Sequence, residues 1–387
     1  GAGNTAIGYQ ASNVISTESD STVVGYDAAS LMRGSSNVAV GKDALKGASF
    51  TDTTADAAVT SGVVITMDAG VNANIIVGLG VSGAGLPDGA YVTLVASASA
   101  DPQVFSVNSR TGTVTAGATL TFYSRAEGSV AIGTDALTAL TTGDGSTAVG
   151  HNAGLAITTA KENTAIGHDA LKANILGNEN TAVGYEALLL CAGAANEQAN
   201  IAVGRDAGYG ITTGRFNICV GNKTMQDLGN ASNLGNVAIG HTAMKSAGTA
   251  ANNDAQYNVA VGYESLLAIT DGDNNVAIGK GAGYSADAIH ENIFIGESAG
   301  YSADVATIVA SSNVYIGVKS GQYLDDAIQN TSLGYQSMRG NASLGNDAAN
   351  NVAIGYRALY LVTDGDDNVA IGANAGVSIT TGGSNTL

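Results

Sequence analysis

Hydrophobic and polar positions alternate in a five-residue motif that returns along the whole chain: a polar residue, a branched residue, usually Ala, then Ile, Val or once Leu, and Gly. Because side chains alternate across a strand, the two branched residues share one face and the middle residue and glycine share the other. Each motif therefore predicts a short β-strand with one bulky and one nearly bare face. The motif glycines are Gly8, Gly25, Gly41, Gly133, Gly150, Gly167, Gly184, Gly204, Gly221, Gly240, Gly262, Gly279, Gly296, Gly317, Gly334, Gly355 and Gly372.

Most of these glycines are 17 residues apart, and a fixed period of this kind predicts stacked coils. The motif opens with Asn or Ser, which predicts a turn or a ladder of stacked side chains. Stretches after the glycine, such as residues 169–173 and 186–191, are too short to stand as helices and predict a second short strand or a tight corner. The predicted fold is all-β, a parallel β-roll or β-solenoid of about 17-residue turns.

The pattern also predicts association with other chains. The Ala and Gly face is the expected contact surface, because small residues let a second backbone approach closely. The branched residues, including the column Thr5, Thr22, Thr147, Thr164 and Thr181, are expected to face inward. Burial within one coil only just offsets the backbone entropy of ordering it. We therefore predict a parallel homotrimer forming a fibre, which widens or changes register where Phe294 and Tyr315 replace the Ala.

One interval between motif glycines, from Gly41 to Gly133, is 92 residues, which is one period of 17 plus 75. Within it, β segments are predicted at residues 63–67, 74–81, 90–96, 104–108 and 113–123, separated by turns. These indicate a small antiparallel β-sandwich or barrel that projects sideways, a form suited to binding or spacing. We assign residues 1–47 to the first solenoid turns, 48–126 to the inserted β-sandwich-like domain and 127–387 to the remaining repeats.

Composition narrows the function. The formal net charge is −18, with 12% charged residues, which argues against a nucleic-acid partner and against adsorption to anionic membranes. The two cysteines, Cys191 and Cys219, make no disulfide framework, and no signal peptide or membrane-spanning stretch is visible. We expect an extracellular protein with no membrane insertion in this segment.

The last residues begin another motif. The next motif glycine is due at 372 + 17 = 389 and its Asn at 385, where Asn385 stands. The chain is thus expected to be a segment of a longer polypeptide.

Residues 4–11 (NTAIGYQA) and 351–359 (NVAIGYRAL) resemble the head repeats of trimeric autotransporter adhesins and the similar repeats of phage tail fibres. The resemblance covers nearly all of the chain outside the insert and implies a trimeric left-handed parallel β-roll. Adhesin repeats are usually shorter and richer in Ser. The insert, with GLPDG at residues 85–89 and TAGATLTF at 115–122, is similar to small β domains of phage structural proteins. Together these favour a phage tail fibre in a virion over a bacterial surface adhesin.

Tyrosines that directly follow motif glycines are candidates for binding a sugar of a host-cell receptor or glycan. The alternative is that they pack over neighbouring corners, and the absence of Trp weakens the glycan interpretation. These candidates are Tyr9, Tyr26, Tyr185, Tyr263, Tyr335 and Tyr356.

Two acidic, glycine-containing turns offer oxygen ligands for Ca²⁺, although solvated turns that keep a filament soluble have the same composition. The candidate ligands are Asp271, Asp273, Asp364 and Asp366. His151 and His168 are one period apart and could stack or hold a metal, whereas exposed loop histidines are the simpler interpretation.

No catalytic constellation is present, and we expect a non-enzyme, since coils of 17 residues offer no groove for paired carboxylates. A non-catalytic alternative, an ice-binding solenoid, would need a regular outward Thr array.

The predicted function is a structural and adhesive segment of an extracellular trimeric fibre, a bacteriophage tail fibre that projects a receptor-binding tip and contacts other virion proteins. The head of a bacterial trimeric adhesin is the alternative.

Overall fold

The computed structural model describes residues 2–13, 19–53, 64–67, 75–87, 90–95, 104–109, 114, 119–192, 198–228, 234–246, 254–285, 288–302, 310–324, 326–341 and 346–387. They form two compact units, divided after Asn180. All regular elements in these residues are β-strands. The all-β prediction is confirmed.

Every solenoid motif forms a strand of three residues, and within each unit successive strands pair in parallel and in register. The first unit contains β1 (Thr5–Ile7), β2 (Thr22–Val24), β4 (Val38–Val40), β11 (Val130–Ile132), β12 (Thr147–Val149) and β13 (Thr164–Ile166), paired in that order. The second unit contains β14 (Thr181–Val183), β15 (Ile201–Val203), β16 (Ile218–Val220), β17 (Val237–Ile239), β18 (Val259–Val261), β19 (Val276–Ile278), β20 (Ile293–Ile295), β21 (Val314–Ile316), β22 (Thr331–Leu333), β23 (Val352–Ile354) and β24 (Val369–Ile371), each paired with the next.

The faces of these strands are the reverse of the sequence expectation. The middle residues, such as Ala148, Ala260 and Ala277, are fully buried inside the chain's own coil. The branched residues on either side point outward, so the Thr column does not face inward. The reason is steric, because one 17-residue coil encloses a narrow interior that in most coils holds a small Ala side chain at the strand, while the larger buried side chains, such as Leu171, come from the corner. The Ala face is therefore not a free contact surface.

The Asn that opens most motifs forms a buried ladder. Asn258, Asn275 and Asn292 are fully buried and lie on successive coils. The Asn258 Oδ1 accepts the backbone N–H and the Nδ2–H of Asn275 at 2.9 Å each, and the Asn275 Oδ1 accepts the same two groups of Asn292 at 3.0 Å. The Nδ2 of Asn275 also donates to the carbonyl of Ile289 at 2.7 Å. Of the two alternatives that the sequence leaves open, a turn or a ladder, the ladder is present, and it connects successive coils.

The segments after the motif glycine are corners and not second strands. Residues 168–173 and 185–190 form consecutive turns. Asp169 and Leu171 have φ of 59° and 50°, as do their equivalents in most coils. Alternating left-handed residues turn the chain sharply, and the side chain of Leu171 enters the interior. Parallel bridges on another side of the coil are isolated, as between Ser311 and Ile328.

The insert is antiparallel. It contains β5 (Ser49–Thr53), β6 (Val64–Thr66), β7 (Gly80–Ser82), β8 (Val92–Val95), β9 (Val104–Val107) and β10 (Thr119–Arg125). Strand β10 pairs with β5 and β7, and β9 pairs with β6 and β8. Phe105 and Phe122 meet edge to face, with ring centroids 5.5 Å apart, in its core. The sequence predicts a β segment at each of these strands except β5.

The ends of the insert lie together, as the resumption of the repeat phase predicts. Strand β4 pairs directly with β11, Val38 opposite Val130, although 92 residues separate them. The end of β10 also pairs in parallel with β3 (Met32–Arg33), a strand in the corner of an earlier coil that sequence analysis missed.

Phe294 and Tyr315 are accommodated without the predicted change of register. They pair in register with Ala277 before them and Ser332 after them, and their rings stack inside the coil with centroids 5.6 Å apart. The space comes from the corner glycines Gly300 and Gly321, at a position where most other coils carry Leu or Met. A Cβ on Gly300 would lie 2.5 Å from the Phe294 ring.

Because the large Phe294 ring requires a small residue at the corner, Gly300→Ala is expected to lower the free energy of unfolding by about 2–4 kcal/mol. Overpacking of the interior and the left-handed backbone both contribute to this loss. The measurement is chemical denaturation followed by circular dichroism. Gly281→Ala is the matched control, since its φ is also near 60° but a Cβ there meets no atom closer than 3.9 Å. Equal losses for the two variants would show that the Phe294 ring does not set the requirement.

Candidate functional site

The first and third residues of each solenoid strand form an outward face of mostly aliphatic side chains. We call this surface the aliphatic face. None of its residues is buried; Ile201 and Ile278 are each 40% exposed and Leu333 is 46% exposed. In the second unit its members are Thr181, Val183, Ile201, Val203, Ile218, Val220, Val237, Ile239, Val259, Val261, Val276, Ile278, Ile293, Ile295, Val314, Ile316, Thr331, Leu333, Val352, Ile354, Val369 and Ile371.

The chemistry of the aliphatic face is uniform. Parallel in-register pairing sets its side chains in two columns with a spacing of roughly 4.8 Å along each column, as for Val259, Val276 and Ile293. Neither column contains a charged residue. A contiguous apolar surface of this length on one side of a chain is typical of a protein–protein interface.

Threonine is unevenly distributed over this face. In the first unit it occupies the first position of β1, β2, β12 and β13, and in the second unit only that of β14 and β22. The Thr side chains point outward, so the sequence argument against an ice-binding surface was wrong on orientation. The array is still dominated by Val and Ile.

Four of the six candidate tyrosines form two stacked pairs on adjacent coils. Tyr9 stacks on Tyr26 with ring centroids 5.2 Å apart, and Tyr335 stacks on Tyr356 at 5.6 Å. All four are exposed. Each ring thereby covers one face of its neighbour, the face on which a sugar would otherwise stack.

The other two candidates have mixed partners. The guanidinium of Arg205 lies 5.6 Å from the ring centroid of Tyr185, and the ring of His241 stacks on Tyr263 at 5.4 Å. These contacts match the packing alternative. Glycan binding by the six tyrosines stays a prediction.

The candidate calcium ligands bridge coils. The backbone N–H of Gln256 donates to the carboxylate of Asp273 at 2.8 Å, and that of Ala349 donates to Asp366 at 2.8 Å. Asp254 N–H reaches Asp271 at 3.3 Å, and Asp364 is exposed. In the described residues none of the four belongs to a group of three ligating side chains, and calcium binding by them stays a prediction.

Both cysteines are buried and free. Burial raises the pKa of the Cys191 thiol to about 12, opposed by a hydrogen bond to Gln198, and burial likewise raises the pKa of Cys219. Thiols held protonated are poor nucleophiles and poor metal ligands. Their positions match the packing role expected for Cys219, which takes the place of the buried Ala.

A cleft in the first unit lies where the insert meets the solenoid corners. It is lined by Val77 from the insert, Arg125 at the end of β10, and Asp144 and Lys161 from successive coils. The lining is mixed in charge and open to solvent. The cleft thus differs from the aliphatic face, because charged side chains line it.

Within the described residues the chain has no helix that could cross a lipid bilayer. No protein-family model, curated protein or solved structure was found to match the chain.

Proposed function

We propose that this chain is a structural and adhesive segment of an extracellular fibre in which three parallel copies associate through the aliphatic face. The fibre is proposed to be a bacteriophage tail fibre that contributes to host attachment. The observation that carries the proposal is the outward column of third strand residues, which is Val, Ile or Leu in every solenoid strand and which a solitary chain would leave in water.

A copy of the same chain is the partner that fits this face. Its side chains have the same axial repeat, so a parallel partner in register opposes each apolar row with another apolar row. The middle Ala cannot provide the contact, because Ala260 and Ala277 are already enclosed. The number three comes from the resemblance of the repeats to fibre and adhesin heads.

The energetics favour association over the full length. Burying a Val or Ile side chain completely contributes roughly 1.5–3 kcal/mol, and about half of that is available for side chains already half covered. Two such residues per coil over the eleven coils of the second unit give on the order of 20 kcal/mol per chain. This exceeds the usual entropic cost of association, roughly 4–15 kcal/mol.

Charge is compatible with this arrangement. Three chains carry 3 × −18 = −54 formal charges, none of them from the two columns that would meet at the axis. Acidic groups such as Asp364 and Glu297 lie in corners and turns. An oligomer of this kind therefore keeps its apolar surface inside and its charge in water.

The proposal is tested by placing charge on the aliphatic face. Val261→Asp together with Ile278→Asp is expected to convert the oligomer to monomers in sedimentation velocity, because each trimer would bury six carboxylates. The matched control is Tyr263→Asp together with Lys280→Asp, two residues further along the same coils and outside the face. The proposed interface would be contradicted if only the control lost its oligomer. It would also be contradicted if both variants kept theirs.

Attachment is tested separately with the intact oligomer. Binding of the purified wild-type protein to a panel of bacterial cells is expected to be strain-selective and to be lost with the face variant. If the wild-type oligomer binds no host strain, the adhesive part of the proposal fails and the structural part stands.

A further inference from the structure

Two of the four histidines of the chain are brought together by the solenoid. His151 and His168 each follow a motif glycine, and the preceding strands pair in register, Thr147 opposite Thr164. The imidazole rings consequently stack with centroids 5.0 Å apart and planes inclined by 23°. Both rings are exposed, so metal ions in solvent can reach them.

A carboxylate completes the group. Asp169 follows His168 and has its Oδ2 3.5 Å from the Nδ1 of that histidine. One ligand atom each from His151, His168 and Asp169 can be chosen so that all three lie within 4.8 Å of one another. Among the described residues this is the one such group found.

The carboxylate of Asp169 is held in place. Asn152 Nδ2 donates to its Oδ1 at 2.8 Å, and Lys172 Nζ donates to its Oδ2 at 3.2 Å. An oriented carboxylate beside two imidazoles forms a ligand set that suits a cation.

We propose that His151, His168 and Asp169 bind one divalent transition-metal ion of the zinc, copper and nickel class. Imidazole nitrogen favours these ions over Ca²⁺ or Mg²⁺. A Zn²⁺–N distance is about 2.0–2.1 Å, so the two imidazoles close on the ion by side-chain rotation, which their exposure allows. Asn152 acts as the supporting hydrogen-bond partner that orients the carboxylate.

The other two histidines have different surroundings. His241 stacks on Tyr263, and His290 has its Nδ1 4.0 Å from Asp273. His290 therefore supplies a histidine–carboxylate pair without a second imidazole. It is a matched control within the same chain.

The bound ion would join two successive coils at their corners, because its ligands come from positions 17 residues apart. Binding only to the folded chain raises its stability by mass action. Lys172 opposes the ion, since its ammonium competes for the same carboxylate oxygen. The proposal does not depend on the number of chains in the native particle.

The test uses the full chain, stripped with chelator and titrated with ZnCl₂ by calorimetry, with CuCl₂ for electron paramagnetic resonance. We expect one tight site per chain, a copper spectrum with two coupled imidazole nitrogens, and a metal-dependent rise in Tm. His151→Ala and His168→Ala should each weaken binding by at least about tenfold, and Lys172→Ala should strengthen it. His290→Ala should bind as the wild type does.

Circular dichroism first establishes that each variant folds. A wild-type copper spectrum with one imidazole nitrogen or none would overturn the proposal, as would unchanged zinc affinity in both His151→Ala and His168→Ala. Asp169→Asn separates the carboxylate from the imidazoles: we expect a weaker site that keeps the two-nitrogen spectrum. Unchanged zinc affinity in that variant would remove Asp169 from the ligand set.

Discussion

Gly262→Ala is expected to destabilise the fold by on the order of 3–5 kcal/mol, or to prevent folding. Gly262 has φ +140°, and a Cβ there would lie 2.5 Å from the carbonyl oxygen of Gly279 and 2.7 Å from its carbon. The obstacle is the backbone of the next coil, so no change of rotamer relieves it. Chemical denaturation followed by circular dichroism measures the loss.

The control for this prediction has the same backbone but no neighbour. In the 387-residue chain, Gly372 is the last motif glycine; it has φ +136°, and a Cβ there meets nothing within 4 Å. Gly372→Ala therefore reports the cost of the backbone conformation alone and should be distinctly milder. If the two variants lose the same stability, the close approach of successive coils is not what requires glycine.

Asn275→Asp is expected to destabilise the second unit by about 3–5 kcal/mol at pH 7. The substitution removes the two N–H donors of the Asn275 amide and puts a buried negative charge in their place. The new oxygen would face the carbonyl of Ile289 and the Oδ1 of Asn258, both of which are acceptors. Burial should raise the pKa of the introduced carboxyl above its unfolded value, about 3.9. Protonation then favours the folded state, so the deficit should shrink as the pH falls toward 4.

Thermal denaturation between pH 4 and pH 8 checks this dependence. Asn385→Asp is the control, since Asn385 makes the same bond to its predecessor, Nδ2 to the Asn368 Oδ1 at 2.8 Å, but is only partly buried. It should lose less stability and show a weaker pH dependence. A pH-independent deficit in Asn275→Asp would mean that the ladder is not sealed from water.

Much of the architecture could be predicted from the sequence because the repeat marks every coil. The strand positions, the coil length, the Asn ladder and the return of the chain after the insert all follow from residues such as Asn275 and Gly262 in their periodic places. The motif carries these features because each depends on local geometry and on the next copy of the same motif.

The face assignment could not be predicted from side-chain size alone. A bare Ala face fits a partner chain as well as it fits the chain's own interior, and only the dimensions of a closed coil decide between them. Ala277 and the corner residue Leu266 are both fully buried. The same limit hid the exchange between Phe294 and Gly300, which requires knowing that strand and corner face each other.

The candidate sites show a similar division. The stacking of His151 on His168 follows from their spacing of one period, and sequence analysis anticipated it. Asp169 was missed, because its proximity depends on a left-handed residue, φ 59°, that turns the chain just after His168. The sequence spacing between repeats shows which residues lie on neighbouring coils. The backbone conformation at the corners decides which of their side chains come into contact.

If the aliphatic face is the interface of a three-chain particle, the native mass of the wild-type protein should be that of three chains. Sedimentation equilibrium should give 3 × 38.2 = 114.6 kDa, unchanged on dilution to nanomolar concentration. A mass of 38.2 kDa at all concentrations would contradict the account, because the Val and Ile columns would then face water in the native state.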